Sequence, residues 1–168
     1  MFAGRVSEHI GCDVVQSNER RVDVICPATD LAFAVASYDT VLCTQVIEHV
    51  ANHRQLLTEA FRVLRSNGVL ILSGPMYWPL HEEPYDFFRF TEYGLRHLLT
   101  EIGFAEITIT ENGGKWALCG QVLIHTIQKT RLYGRVSIRV INRIFAFLDD
   151  RYPSHGNPMN YVVVARKP

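Results

Sequence analysis

Residues 38–74, YDTVLCTQVIEHVANHRQLLTEAFRVLRSNGVLILSG, constrain this chain more than any other stretch. Val41, Leu42 and Cys43 form a short apolar run of the buried-strand type. Glu48 and His49 sit in the loop that follows. Leu56, Leu57, Ala60, Phe61 and Leu64 then recur at spacings of three and four, which puts them on one face of a helix. Asn67-Gly68 marks the helix end, where a residue with positive φ is needed. Val69 to Leu72 is a second apolar run. A strand, a helix and a strand in this length make a right-handed crossover between parallel strands, because a tight hairpin cannot join parallel neighbours.

The same alternation extends in both directions. His9 to Val15 (HIGCDVV) and Val22 to Cys26 read as strands, the second stopped by Pro27. Pro75, Pro79 and Pro84 exclude regular structure over 75–90. Thr91 is a good N-cap and Gly103 a good stop, which predicts a helix with Leu95, Leu98, Leu99 and Ile102 on its buried face. Phe104 to Thr110 and Tyr161 to Ala165 complete the strands. Lys115 to Arg151 reads as helical with a break at Gly134. Strands alternating with helices predict an α/β, doubly wound sheet. At 168 residues the chain reads as a single domain that can bury about two-thirds of its unfolded surface. Residues 75–91 are an insertion within it, and residues 115–151 a helical segment before the last strand.

Charge narrows the partners. Lys+Arg and Asp+Glu are 17 each, so the net charge is zero and no bulk field would attract nucleic acid. Cys12, Cys26, Cys43 and Cys119 lack paired spacing, so they read as small buried hydrophobes in a reducing, cytoplasmic setting. Met1 to Arg5 leads into polar residues, so no leader peptide is expected. No apolar run approaches the roughly 18 residues of a membrane span. Arg131, Arg135, Arg139 and Arg143 recur every four residues beside Ile138, Ile141, Ile144, Phe145 and Leu148. That stripe reads either as a solvated helix face over a core or as a peripheral membrane contact.

YDTVLCTQVIEHV followed by EAFRVLRSNGVLILSGP resembles the second half of a class I S-adenosylmethionine-dependent methyltransferase, closest to the type-11 subfamily. HEEPYDFFRFTEYGLRHLLTEIGF resembles the segment that many members carry next. The resemblance covers roughly residues 10–112 and rests on the order of the motifs. It implies a Rossmann-like sheet whose last two strands pair antiparallel, with S-adenosylmethionine as cofactor. It also implies a glycine-rich turn, roughly D-x-G-x-G, after the first strand, where the backbone must approach the ligand closely. These residues contain no such string. The chain reads as truncated before the second strand of the family order, by roughly 30–50 residues against ordinary domain sizes.

The resemblance assigns Asp13, at the end of HIGCDVV, to the ribose hydroxyls, for which a carboxylate offers several acceptor sites. Thr29, Asp30 and Leu31 fall in the adenine loop, although Pro27 stands where relatives carry an acid. Gln45 and Val46 would pass under the sulfonium end. His49 and His81 are the candidate catalytic groups, because imidazole exchanges protons near neutral pH. Tyr77, Trp78, His81, Glu82, Asp86 and Arg89 form a candidate substrate loop. Alternatively Arg89 pairs with Asp86 or Glu82 and the phenylalanines join the core. His81, Glu82, Glu83 and Asp86 lack the i, i+4 helical pair of a zincin, so no metal is expected.

Two functions fit this reading. One is a methyltransferase, or a fragment of one, acting on a small molecule such as a sugar or a lipid-linked intermediate. The other is a non-catalytic, methyltransferase-like binding or assembly protein. A sheet without its first strand exposes an edge, so the expectation is either a homodimer or a rearranged sheet with HIGCDVV at its centre.

Overall fold

The computed structural model describes residues 6–168; the leader reading of Met1–Arg5 lies outside them. The crossover is present. Strand β3 (Tyr38–Thr44), helix α1 (His53–Val63) and strand β4 (Leu64–Pro75) follow one another, and β3 and β4 pair parallel. Helix α2 (Glu92–Ile102), strand β5 (Ala105–Asn112), helices α3 (Lys115–Ile127) and α4 (Arg135–Arg151), and strand β6 (Asn160–Arg166) complete the body. The sheet order is β3-β4-β6-β5, with β6 antiparallel to both neighbours; its pairing with β5 is the one the resemblance implied.

The apolar spacing accounts for the core. Leu56 and Leu57 of α1, Leu95 and Leu99 of α2, Leu70 and Leu72 of β4 and Val163 of β6 are all buried together. Each such side chain stabilises the fold by about 1.5–3 kcal/mol relative to exposure. Thr91 caps α2 by accepting a bond from the Gly94 amide at 3.1 Å, and Gly103 ends it at φ +111°.

Helix α1 stops earlier than its spacing suggests. Leu64 is already extended and pairs with Tyr38, whereas Thr40 pairs with Val69. Residues 65–68 bulge out of the ladder between those pairs. Asn67 takes φ +65° there, and the Asn67 amide and Gly68 carbonyl bond Lys167. Gly68 is required by space: a Cβ would sit 2.8 Å from the Arg65 carbonyl oxygen.

The first two strands are far shorter than expected. β1 is Cys12–Asp13 and β2 is Val24–Ile25, paired parallel in a sheet of their own. Cys12, Asp13 and Ile25 are exposed, so little burial favours a longer ladder. The Asp23 carboxylate takes the Gly11 amide at 2.7 Å instead. Of the described strands, β1 pairs with β2 and β3 with β4. The expected rearrangement with HIGCDVV at the centre is therefore overturned; no other described strand lies on the far edge of β3, and Leu42 is exposed.

Burial of all four cysteines also fails. Cys26 is buried and Cys43 half-buried, but Cys12 and Cys119 are exposed. Helices α3 and α4 pack as a hairpin, broken near Gly134 as the sequence suggests. Gly120 lets them touch, since a Cβ there would meet Phe145 at 2.9 Å. Asp149 of α4 accepts from the Gly114 and Trp116 amides and so caps α3. No residue of α4 is fully buried. Arg131, Arg135, Arg139 and Arg143 are exposed, and so are Val136, Val140, Ile144 and Phe147. No described helix is long and apolar enough to cross a membrane.

Candidate functional site

Parallel strands direct their carboxyl ends to one edge, and the loops leaving that edge are free to hold a ligand. Asp13 ends β1 with an exposed carboxylate that accepts only the Val15 amide, at 3.2 Å, among the described residues. Thr29, Asp30 and Leu31 lie in the loop after β2. Gln45 and Val46 leave β3. Gln45 adopts φ +54°, an unusual backbone for a residue with a side chain. Two bonds to Ser73 of β4 hold it: its amide donates to the Ser73 carbonyl at 3.1 Å, and Nε2 donates to Oγ at 2.9 Å.

The 27–35 loop is fastened to α1 by residues that the spacing did not single out. The Glu59 carboxylate accepts the Leu31 amide at 2.8 Å and two bonds from Arg62. Arg62 donates onward to the carbonyls of Phe33 and Leu31. The bond from Arg62 holds the Glu59 carboxyl below its ordinary range, so this anchor weakens only as the solution becomes strongly acidic. Glu59 is buried although it carries a charge, and its burial is not readable from the sequence.

The loop after β3 turns through a short 3₁₀ segment, Ile47–His49. Ile47 is fully buried, which fixes Glu48 and His49 over the end of the sheet. Glu48 is also fully buried, and among the described residues neither carboxylate oxygen has a hydrogen-bond partner. Burial pushes its carboxyl above the ordinary range. His49 Nδ1 lies 2.9 Å from the Tyr85 carbonyl oxygen, to which only a protonated nitrogen can donate. Its Nε2 faces Glu48 Oε1 at 3.9 Å.

The 76–91 loop closes over this turn. The Phe87 and Phe88 amides donate to the Glu48 carbonyl at 2.9 and 3.3 Å. His81 stacks edge-on to His49, with ring centroids 4.7 Å apart. Asp86 and Arg89 pair through two bonds of 2.6 and 2.8 Å, and Arg89 also donates to the carbonyls of Trp78, Pro79 and Phe88. The Arg89 guanidinium holds the Asp86 carboxyl well below the usual carboxylate range. Phe90 is buried in the core, whereas Tyr77, Glu82 and Phe87 face solvent and Trp78 is half-buried. So the loop is a structural closure in its Asp86–Arg89 half and an open surface at Tyr77 and Glu82. Of the expected groups, His49, His81 and Asp86 come together; Glu82 does not join them.

Residues 6–72 match the model of the methyltransferase-domain family. The match takes in less than half of the chain. A methyltransferase reading also fits the relatives. The chain is 32% identical over 102 residues to "Probable S-adenosylmethionine-dependent methyltransferase MT3114" of Mycobacterium tuberculosis, covering 56% of this chain and 37% of that protein. A Mycolicibacterium smegmatis protein of the same description is 37% identical over 81 residues, covering 45% and 32%. The chain thus spans about a third of the length of these curated relatives. Among solved structures it resembles a SAM-dependent methyltransferase of Archaeoglobus fulgidus, with TM-score 0.60 and 17% identity over 94% of this chain and 75% of that one. It also resembles a phosphoethanolamine N-methyltransferase of Haemonchus contortus in complex with S-adenosyl-L-methionine, with TM-score 0.55 and 17% identity over 90% and 38%. The [4+2]-cyclase SpnF shares the fold at TM-score 0.54 and 19% identity, over 88% of this chain and 56% of that one, so the methyltransferase fold by itself does not fix a reaction.

Proposed function

We propose that this chain is the cofactor-bearing part of an S-adenosylmethionine-dependent methyltransferase acting in the cytoplasm on a small molecule, with a sugar or a lipid-linked intermediate as the class of acceptor. The supporting observation is that Asp13, the Thr29–Leu31 loop and Gln45–Val46 all leave carboxyl ends of parallel strands. These groups fit the cofactor's parts. The exposed Asp13 carboxylate has acceptor positions for a ribose diol. The 27–35 loop, anchored by Glu59 and Arg62, presents a fixed rim for adenine. Gln45 and Val46 stand where the sulfonium end would lie.

S-adenosylmethionine supplies an electrophilic methyl group on sulfonium. This chain's residues orient the acceptor and remove its proton. His49, with Nδ1 donating to Tyr85, carries a free lone pair on Nε2 and is placed to accept that proton. Tyr77 and Trp78 would cover the acceptor from the loop side. Positioning and desolvation carry most of such a transfer, so truncating either histidine lowers the rate without abolishing it.

Titration with S-adenosylhomocysteine tests the reading. These 168 residues contain no D-x-G-x-G string for the methionine end, so affinity of this chain alone should be weaker than about 1 μM. Asp13→Ala should weaken it further, by roughly ten- to hundredfold, because bonds to a charged group contribute about 1.5–3 kcal/mol. Unchanged affinity in a folded Asp13→Ala protein contradicts the ribose assignment.

The far edge of β3, on which no other described strand lies, supports self-association. Unpaired strand edges template pairing with another chain, and Leu42 and Val46 add exposed apolar surface beside it. A homodimer is the expected species by light scattering, and a strict monomer at micromolar concentration contradicts it.

A further inference from the structure

Glu48, His49 and His81 form a cluster that proton transfer alone does not account for. One ligand atom from each lies within 4.8 Å of the other two. The carboxylate is fully buried, and among the described residues both of its oxygens lack a hydrogen-bond partner. An unsatisfied buried carboxylate is costly, and coordination of a cation is one of the few ways to offset that cost.

The surroundings of the two imidazoles complete the case. His49 Nδ1 is engaged with the Tyr85 carbonyl. His81 Nδ1 lies 3.2 Å from the Pro79 carbonyl oxygen and 3.3 Å from Asp86 Oδ2. A carbonyl and a carboxylate both select the protonated form of the nitrogen facing them. That leaves Nε2 of each ring as a lone-pair donor. Histidines that bind metals are held in this way, through a carbonyl or a carboxylate on the second nitrogen. Asp86 is itself fixed by Arg89, so the His81 ring is oriented by a rigid pair.

We propose that Glu48, His49 and His81 bind a divalent transition-metal cation of the zinc class, with an open position toward the acceptor side. Two imidazoles and one carboxylate suit such a cation, and three protein ligands leave room for a water or a substrate oxygen. The geometry is close to closure. The His49 Nε2 to Glu48 Oε1 distance is 3.9 Å, and a tetrahedral centre with bonds of about 2 Å needs roughly 3.4 Å between ligand atoms. A small rotation of the partly exposed His49 ring supplies the difference. The pattern is invisible to spacing rules because His81 arrives from a separate loop. With the cation bound, neither imidazole is a free base, and the metal-held oxygen would take over activation of a hydroxyl acceptor.

The test uses Zn²⁺ alone, without cofactor or acceptor, so its outcome is independent of the methyltransferase reading. Competition against a chromophoric chelator should show one Zn²⁺ per chain. Glu48→Gln, His49→Gln and His81→Gln should each weaken it at least tenfold. His81 is part-exposed on a loop, so its variant keeps the fold even if the buried Glu48→Gln protein does not. The double variant Cys12→Ser/Cys26→Ser should bind as the parent does. X-ray absorption should give a shell of nitrogen and oxygen without sulfur. Absence of stoichiometric uptake, uptake unchanged by His81→Gln, or a sulfur shell overturns the proposal.

Discussion

Arg89→Ala is expected to lower stability by about 3 kcal/mol, measured as a shift of the urea midpoint. Asp86 retains only 2% of its side-chain surface in solvent, and Arg89 is its ion-pair partner. Removing one member of a buried pair leaves an uncompensated charge and typically costs about 3–5 kcal/mol. The lower end applies because Arg89 keeps a quarter of its side chain exposed. The same substitution frees the carbonyls of Trp78, Pro79 and Phe88. Limited proteolysis should therefore move into residues 76–89. The double variant Arg89→Ala/Asp86→Asn should recover part of the loss, because no buried charge is left unpaired. A single variant as stable as the parent would show that the loop is held by Phe90 packing alone.

Ile47→Ala should cost about 2–5 kcal/mol by the usual measure for a buried aliphatic truncation. Ile47 is fully buried, and its Cγ2 lies 3.0 Å from where a Cβ on Gly74 would project. Its loss would also release the turn that seats Glu48 and His49. Thermal unfolding reports the first effect. The His49 side-chain resonances report the second, through loss of the Tyr85 contact. A loss below about 0.5 kcal/mol would mean that the turn is positioned by its backbone bonds to Phe87 and Phe88 instead.

The residues carried the body of the fold plainly. Leu56, Leu57, Leu95 and Leu99 lie in the core because their spacing of three and four reflects helix geometry directly. The antiparallel pairing of β5 with β6 came from the resemblance, and the place of β6 beside β4 came only with the structure, since spacing does not say which strands are neighbours. HIGCDVV misled because an apolar run predicts a strand only where something covers it. Among the described residues it has a two-residue partner and solvent, so pairing stops at Asp13. On helix α4 the apolar flank Ile138, Ile141, Phe145 and Leu148 is half-buried, and of the flank only Ile144 is exposed. Val136, Val140 and Phe147, outside that flank, are exposed as well.

The site was legible residue by residue but not as an arrangement. Glu48 and His49 are adjacent in the chain, whereas His81 and Asp86 reach them through a loop whose path depends on Arg89. Ion pairing of Arg89 with Asp86 was foreseeable from their spacing of three. The complete burial of Glu48 was not, because it depends on the loop folding back to bond the Glu48 carbonyl. Glu59 was hidden for a related reason. It occupies the buried side of α1 only because the 27–35 loop supplies an amide for its charge.

The central claim is that the carboxyl ends of β1, β2 and β3 hold S-adenosylmethionine. Amide chemical-shift mapping of this chain with S-adenosylhomocysteine tests it most directly, because it detects millimolar as well as micromolar binding. Saturable shifts at Asp13, at Thr29, Asp30 and Leu31, and at Gln45 and Val46 are the predicted result. Absence of any saturable shift, or shifts confined to α3 and α4, would contradict it.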